Sequence, residues 1–330
     1  MPGVVLLHGA NGAGKTNLLE ALHVGTQGFS PRARRDVQMI RFGADASRIT
    51  LAGARGSNAF ETDTLLTRGE SRTVKLNGER LDSAERLRHE LTTLVFTPDR
   101  LAVVKGAPAT RRAYLDRVVG RLLPARASIA NEYASAVGQR NAALRRIRHG
   151  QSTRDALAPW TERVVDLGNE LVSARAETAG VLATPFAQLA GSFGLAEASL
   201  AYEGTALTTA ELEGRLEADI ERGITGAGPH LHDLRIEAGG RDLRVYGSQG
   251  EQRVAVLSLV LAEAELLRQR LDVSPLVLLD DVLSELDGSR RLALAEVITR
   301  TAQTVVTATA AELLPSEPSV SLSVTPGRIE

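Results

Sequence analysis

The chain has 330 residues, of which 43% are hydrophobic, 3% aromatic and 24% charged, with a net charge of −1. That is enough apolar material for one large domain or two ordinary ones, and a near-neutral total suits a nucleic-acid binder only if its basic residues are concentrated locally. The absence of cysteine excludes disulfides and thiolate metal sites. There is neither a run of about 18 apolar residues nor a basic-then-apolar leader, so neither a membrane-spanning helix nor a signal peptide is expected.

Val4-Val5-Leu6-Leu7 predicts a buried strand, His8 to Gly14 a loop, and Leu18, Leu19 and Leu22 a helix from Lys15. Runs at Ile49–Leu51, Thr64–Leu66 and Val74–Leu76, punctuated by glycines and by Asn77-Gly78, predict antiparallel strands between Arg48 and Leu81. Leu94-Val95-Phe96 predicts a short strand ended by Pro98. From Arg111 to about Arg222 strand signals nearly vanish and helical spacing dominates, with Pro124, Pro159 and Pro185 as dividers. A glycine-rich joint follows, Gly223 to Pro229. Leu234 and Ile236, then Leu243 and Val245, alternate about Gly239-Gly240 and predict strands. An amphipathic helix is expected from about Glu251 to Leu271, broken by Pro275, and strands at Leu276–Leu279 and Thr304–Val306. The layout is an α/β domain in two sequence halves around a helical insertion.

Gly9-Ala10-Asn11-Gly12-Ala13-Gly14-Lys15-Thr16 matches the phosphate-loop pattern, between a strand and a helix as that motif requires. Its glycines let backbone N–H groups converge on phosphates, and the following helix adds its positive end. Lys15 would reach the β- and γ-phosphates of ATP, and the Thr16 hydroxyl would ligate Mg²⁺. The bland alternative is a glycine-rich turn. Leu276-Val277-Leu278-Leu279-Asp280-Asp281 places two acids at the end of an apolar strand, where ligands bind in open α/β sheets. Asp280 is placed to hold Mg²⁺ and Asp281 to orient the attacking water; alternatively both favour a helix dipole.

Ser248-Gln249-Gly250-Glu251 precedes the long helix. Ser248 and Glu251 form a capping box on sequence grounds. A serine hydroxyl and free amides at a helix start also make an anion site. With one phosphate loop and two anion-binding surfaces, the second surface would serve the ATP of another subunit.

Together, the phosphate loop, Ser248–Arg253 and Leu278-Leu279-Asp280-Asp281-Val282-Leu283-Ser284-Glu285-Leu286-Asp287 resemble the RecF family of bacterial DNA replication and repair ATPases. Val95-Phe96-Thr97-Pro98-Asp99, Val104-Lys105-Gly106, Arg111-Arg112, Leu115-Asp116, Gln139-Arg140-Asn141 and Gly228-Pro229-His230 agree with it. The resemblance implies an ABC-ATPase head, a mixed sheet with flanking helices, at 1–108 and 226–330, and an inserted helical arm at 109–225. It also implies an ATP-dependent homodimer in which Ser248, Gln249 and Gly250 face the partner's γ-phosphate and Asp287 lies at the seam. The implied function is that of a cytoplasmic protein with no membrane partner, binding DNA at gaps and stalled forks, with RecR and RecO, in RecA loading and the SOS response. Two departures stand out. The strands that such proteins carry before the phosphate-loop strand are expected to be missing, and the family's Gly-Pro-His-Arg-Asp-Asp reads Gly228-Pro229-His230-Leu231-His232-Asp233 here.

Between Arg100 and Gly150 lie eleven Lys or Arg residues and two acids, Asp116 and Glu132. Arg140, Arg145, Arg146 and Arg148 can share helix faces and would contact DNA phosphates without reading sequence; a solvated helix face is the alternative. Scarce aromatics favour duplex backbone contact over base stacking. A transporter subunit would need a different signature at 247–252, and a chromosome-type ATPase would need long heptad arms. A clamp that binds ATP but barely hydrolyses it fits the short Asp281.

Overall fold

The computed structural model describes residues 3–301 and 303–330, without the side chains of Asp99 and Thr301. Met1 and Pro2, expected to open the head, and the Asp99 side chain lie outside that set. The chain forms two compact units, one of Met1–Leu101, Ser192–Gly194 and Ala264–Glu330, the other of Ala102–Gly191 and Leu195–Glu263.

The first unit begins with β1 (Val4–His8), α1 (Lys15–Gln27), β2 (Ala46–Arg55), β3 (Asn58–Thr67), β4 (Thr73–Leu76), β5 (Glu79–Leu81), α2 (Ala84–Glu90) and β6 (Thr93–Phe96). The second contains α3 (Ala102–Lys105), α4 (Pro108–Leu122), α5 (Ile129–Arg148), α6 (Ala158–Ser192), β7 (Ala198–Glu203), α7 (Thr209–Gly214), α8 (Leu216–Arg222), β8 (Asp233–Ala238), β9 (Arg241–Asp242) and α9 (Leu243–Tyr246). Helix α10 (Gln249–Leu271) begins in the second unit and ends in the first, which continues with β10 (Leu276–Leu279), α11 (Gly288–Thr301), β11 (Thr304–Ala308), β12 (Val320–Thr325) and β13 (Arg328–Ile329).

The main sheet runs β13-β12-β1-β11-β10-β6. Its five larger strands are mutually parallel, and only β13 is antiparallel. The uninterrupted apolar runs are explained by burial: Leu6 is 1% exposed and Val277, Leu278 and Leu279 are 0%. Leu7 pairs with Thr307, and Leu279 with Val306 and Phe96. That register lines up the carboxyl ends of β1, β11 and β10 on one edge, the edge where such sheets bind ligands. Strands β2 to β5 form a separate antiparallel sheet. Asn77 and Gly78, at φ 52° and 83°, close the β4–β5 hairpin in the left-handed conformation that a two-residue turn needs.

Four sequence expectations change. The helical stretch contains strand β7, which pairs antiparallel with β8 from Ala198↔Ala238 to Glu203↔Asp233. Its alternation is real, with Ala198 and Leu200 buried and Ser199 and Ala201 exposed, but alanine carries too little β signal to reveal it. Leu243 and Val245 lie in the turn of α9, not a strand, because the Asp242 carboxylate caps it by accepting from the Arg244 N–H (2.8 Å). Pro185 does not divide the helices; it sits inside the 35-residue α6. Helix α10 is not amphipathic either, since every residue from Val254 to Leu261 is buried.

The second unit is built on Tyr133, Val164, Leu167, Leu171, Leu207 and Leu212. Buried ion pairs lock it: Arg111 with Asp233 (2.6 Å), Arg175 with Asp116 (2.7 Å) and Arg140 with Asp219 (2.9 Å). The altered segment Gly228–Asp233 is part of that lattice. Arg175 donates to the Pro229 carbonyl (2.7 Å), His230 Nδ1 shares a hydrogen bond with the Tyr133 hydroxyl (2.7 Å), and His232 Nδ1 shares one with Tyr202 (2.8 Å).

Candidate nucleotide site

Strand β1 ends at His8 and α1 starts at Lys15, with the glycine-rich loop between. Gly9 is required by space, because a Cβ there would lie 2.2 Å from the Val324 carbonyl oxygen. Gly14 is required by conformation, at φ 108° in the cap position of α1. The Ala13 N–H turns back to the Ala10 carbonyl (3.2 Å). Among the described residues, the amides of Gly12, Gly14, Lys15 and Thr16 have no backbone acceptor. A helix start with unpaired amides is an anion site.

Lys15 is 8% exposed, and its ammonium donates to the carbonyls of Gly9 (2.6 Å) and Ala10 (2.9 Å). One of its three N–H donors is left for another acceptor. The Thr16 hydroxyl donates to Asp280 Oδ1 (3.0 Å), and the Thr307 hydroxyl donates to the same oxygen (2.9 Å). Thr307 also accepts the Asp281 N–H (2.8 Å), so one hydroxyl fixes both acids. Asp280 is 5% exposed. Burial pushes its carboxyl above the ordinary 3.8, against the hydrogen bonds from Thr307 and Thr16 and the positive charge of Arg32, while Asp281 pushes it up further. A buried carboxylate beside a threonine hydroxyl is an all-oxygen donor set of the kind that suits Mg²⁺.

Asp281 is held at φ 51°, a left-handed conformation that is uncommon outside glycine. The Ser284 hydroxyl donates to its carboxylate (2.8 Å) and its carbonyl (3.0 Å). Strain held this way is typical of functional positions. Asp287 caps α11: its carboxylate accepts from the Ser289 hydroxyl (2.7 Å) and the Arg290 N–H (2.9 Å), bonds that hold it below the ordinary carboxylate range.

Ser248, Gln249 and Gly250 belong to the second unit. The Ser248 N–H donates to Glu251 Oε2 (2.7 Å), and the Glu251 N–H donates to the Ser248 hydroxyl (3.3 Å). That is a reciprocal capping box on α10. Ser248 and Gln249 are exposed, and Gly250 has open space where a side chain would be.

The structure thus joins Gly9–Thr16 to Asp280, and Asp280 to Asp281, in the first unit. Sequence reasoning missed two residues there. Thr307 could have been noticed as a hydroxyl near the carboxyl end of an apolar strand. Arg32 lies in a run of arginines with no periodic signal.

The basic stripe needs correction. Arg140 is 1% exposed and pairs with Asp219, and Arg111 is 3% exposed and pairs with Asp233, so neither can meet DNA. They project inward because their helices pack on that face. Arg145, Arg146 and Arg148 remain exposed in the last turn of α5, where positive charge complements the helix dipole.

The model of the RecF/RecN/SMC N terminal domain family matches residues 1–326. The chain is 36% identical over 326 residues to the DNA replication and repair protein RecF of Heliobacterium modesticaldum, covering 94% of this chain and 87% of that protein. It is 39% identical over 334 residues to RecF of Anaeromyxobacter dehalogenans strain 2CP-C, covering 95% and 88%. A solved structure of the recombination mediator protein RecF-ATPrS in the RecFOR pathway superposes with a TM-score of 0.83 at 25% identity, covering 100% of this chain and 92% of that one. The Smc head domain of Pyrococcus furiosus, bound to the C-terminal domain of ScpA, shares the fold at a TM-score of 0.60 and 16% identity, covering 100% and 89%. The chain belongs to the RecF/RecN/SMC N-terminal domain family and, within it, to the RecF family of DNA replication and repair proteins.

Proposed function

We propose that the chain binds ATP on Gly9–Thr16, with Mg²⁺ at Thr16 and Asp280, and uses it to pair two copies on DNA during replication-coupled repair. The observation that carries this reading is the chain of contacts Thr16–Asp280–Thr307–Asp281 beside a loop of unpaired amides. Mg²⁺, when bound, would neutralise charge on the β- and γ-phosphates. Lys15 exchanges its carbonyl partners for phosphate oxygens. Asp281 positions a water for slow, DNA-stimulated hydrolysis. Ser248, Gln249 and Gly250 of a second copy meet the γ-phosphate, with Asp287 at the seam. On this reading the head, 1–108 and 226–330, carries the nucleotide, and the arm, 109–225, offers Arg145, Arg146 and Arg148 to duplex or gapped DNA. RecR and RecO, the partners in the pathway of the similar structure, are the expected collaborators in RecA loading and the SOS response.

A second reading, a nucleotide-gated clamp with negligible turnover, draws on the Ser284 hydroxyl already engaging the short Asp281 carboxylate. Titration with a fluorescent ATP analogue tests the first. Lys15→Ala should abolish binding, and unchanged affinity would remove the nucleotide from this loop. Turnover with and without DNA separates the enzyme from the clamp.

A further inference from the structure

The segment between α1 and β2 has no part in the nucleotide reading beyond Arg32, yet it carries the most exposed large apolar side chain among the described residues. Phe42 is 100% exposed, against 71% for Tyr246, the next. It is not on a loose strand of chain. The Ala44 N–H donates to the Arg41 carbonyl (3.0 Å), closing a turn over Arg41–Ala44, and Gly43 lies at φ 83° in its third position. A type II turn asks for glycine there. Arg68 clamps the exit of the turn, its Nε donating to the Ala44 carbonyl (2.7 Å) and its N–H to the Asp45 carbonyl (3.0 Å). Upstream, Gln38 Oε1 accepts from the Arg35 N–H (3.1 Å), and Asp36 pairs with Arg72 (3.0 Å). A braced turn holds a bare phenyl ring at its tip.

The charge around it is mainly positive. Arg34, Arg35 and Arg41 are exposed, and their side chains make no ion pair or hydrogen bond among the described residues. Of the two acids in Pro31–Asp45, Asp36 is neutralised by Arg72 and Asp45 is exposed, which leaves the arginines in excess. An anionic partner with a flat apolar face satisfies both features.

We propose that the Arg41–Ala44 turn is a base-stacking contact for DNA, in which Phe42 covers a base face left open at the edge of a gap or strand end while Arg34, Arg35 and Arg41 hold the flanking phosphates. This rests on the DNA-binding reading above and adds to it the contact that would recognise the edge of a gap. In an intact duplex each base pair is covered on both faces by its neighbours, so a phenyl ring can stack only where the column stops. Aromatic–base stacking is tolerant of sequence, because every base has a π-face. A symmetric contact with a second copy of the same patch would set arginines against arginines, since such interfaces are self-complementary. A peptide would want a groove, and the cavity nearby in sequence, lined by Phe29, Arg72, Leu81 and Arg88, takes no residue from 30–45. Arg145, Arg146 and Arg148 grip backbone wherever it runs; Phe42 would choose the place.

The test uses the full chain with ATP and Mg²⁺, a blunt duplex, and the same duplex with a gap edged by 2-aminopurine. Wild type should bind the gapped form more tightly and quench the probe. Phe42→Ala should lose affinity for gapped DNA about tenfold, the scale of one stacked base, lose the quench, and keep its affinity for blunt duplex. Phe42→Trp should keep both. Arg34→Ala, Arg35→Ala and Arg41→Ala together should flatten the salt dependence on gapped DNA. If wild type binds both DNAs and Phe42→Ala behaves identically to it, the proposal is overturned while the DNA-binding reading stands. If wild type binds neither DNA, that reading falls and takes the proposal with it. Loss of ATP-driven self-association in Phe42→Ala with gap binding intact assigns the turn to a second copy and overturns the proposal. So does Phe42-dependent capture of poly-glutamate with gap binding intact, which assigns an acidic protein.

Discussion

Arg140→Ala removes a guanidinium that is 1% exposed and donates from one nitrogen to both Asp219 Oδ2 and the Thr225 hydroxyl, each at 2.9 Å. Asp219 is 2% exposed, and after the change its carboxylate keeps the Gly226 N–H (3.0 Å) as a donor. Truncating one partner of a buried pair leaves the other charged and uncompensated, at a cost of about 3–5 kcal/mol. The second unit should therefore unfold at markedly lower urea, read by far-ultraviolet circular dichroism because that unit is mostly helix. Arg140→Met combined with Asp219→Leu should recover most of the loss, since removing both charges together is far cheaper than removing one. DNA binding by folded Arg140→Ala should keep the parent's salt dependence. A stability loss below about 1 kcal/mol, together with a log–log salt slope reduced by about 0.9, would put Arg140 on a phosphate and refute the burial argument.

The exposed arginines should behave in the opposite way. Arg145→Ala, Arg146→Ala and Arg148→Ala together should weaken DNA binding uniformly across sequences and cut the salt slope by about 0.9 for each phosphate no longer neutralised; an unchanged slope reduces the stripe to a solvated face. His230 and His232 both lie below the ordinary 6.5, first because burial disfavours the imidazolium and then because Arg175 and Arg112 repel it. Below 6.5 the unfolded chain binds protons that the folded chain refuses, so stability should be full above 6.5 and decline as pH falls through that value toward the depressed folded pKa values. Urea midpoints between pH 7.5 and 5.5 check this, and the decline should flatten in His230→Asn with His232→Asn.

What could be read from the sequence was what local chemistry dictates. The phosphate loop was legible because its glycines and Lys15-Thr16 recur at a fixed local spacing between a strand and a helix, with Gly14 in the left-handed cap that the turn itself requires. The buried strands announced themselves as unbroken apolar runs. What long-range packing decides was not legible. Strand β7 exists because β8, thirty residues on, offers it a partner, and alanine and serine carry little sign of that. Helix α10 hides every residue from Val254 to Leu261, so its pattern, which on an isolated helix would mark an exposed face, marks none. The direction of an arginine is equally invisible: Arg140 and Arg145 read alike in sequence, yet one is buried against Asp219 and the other is exposed, donating to the Gly223 carbonyl (3.4 Å).

Ser248 tests whether a residue can be structural and functional at once. Its hydroxyl and Glu251 form a complete capping box, which accounts for both residues with no ligand. Replacement by alanine is therefore a poor probe, because loss of the cap alone costs about 1 kcal/mol of helix stability. Ser248→Asp is better. Aspartate caps as well as serine does, so α10 should start where it does now and the urea midpoint should hold. The new carboxylate would nevertheless face the γ-phosphate bound by a second copy, and two anions brought together there repel. Ser248→Asp should then bind ATP normally at its own Lys15 and sediment as a monomer under conditions where the parent associates. Asp281→Asn supplies the contrast: it preserves shape, removes the carboxylate assigned to the water, and should accumulate the associated form by keeping ATP intact. If Ser248→Asp still associates with ATP and Mg²⁺, the serine is a helix cap alone, and the second anion surface must be sought elsewhere in the chain.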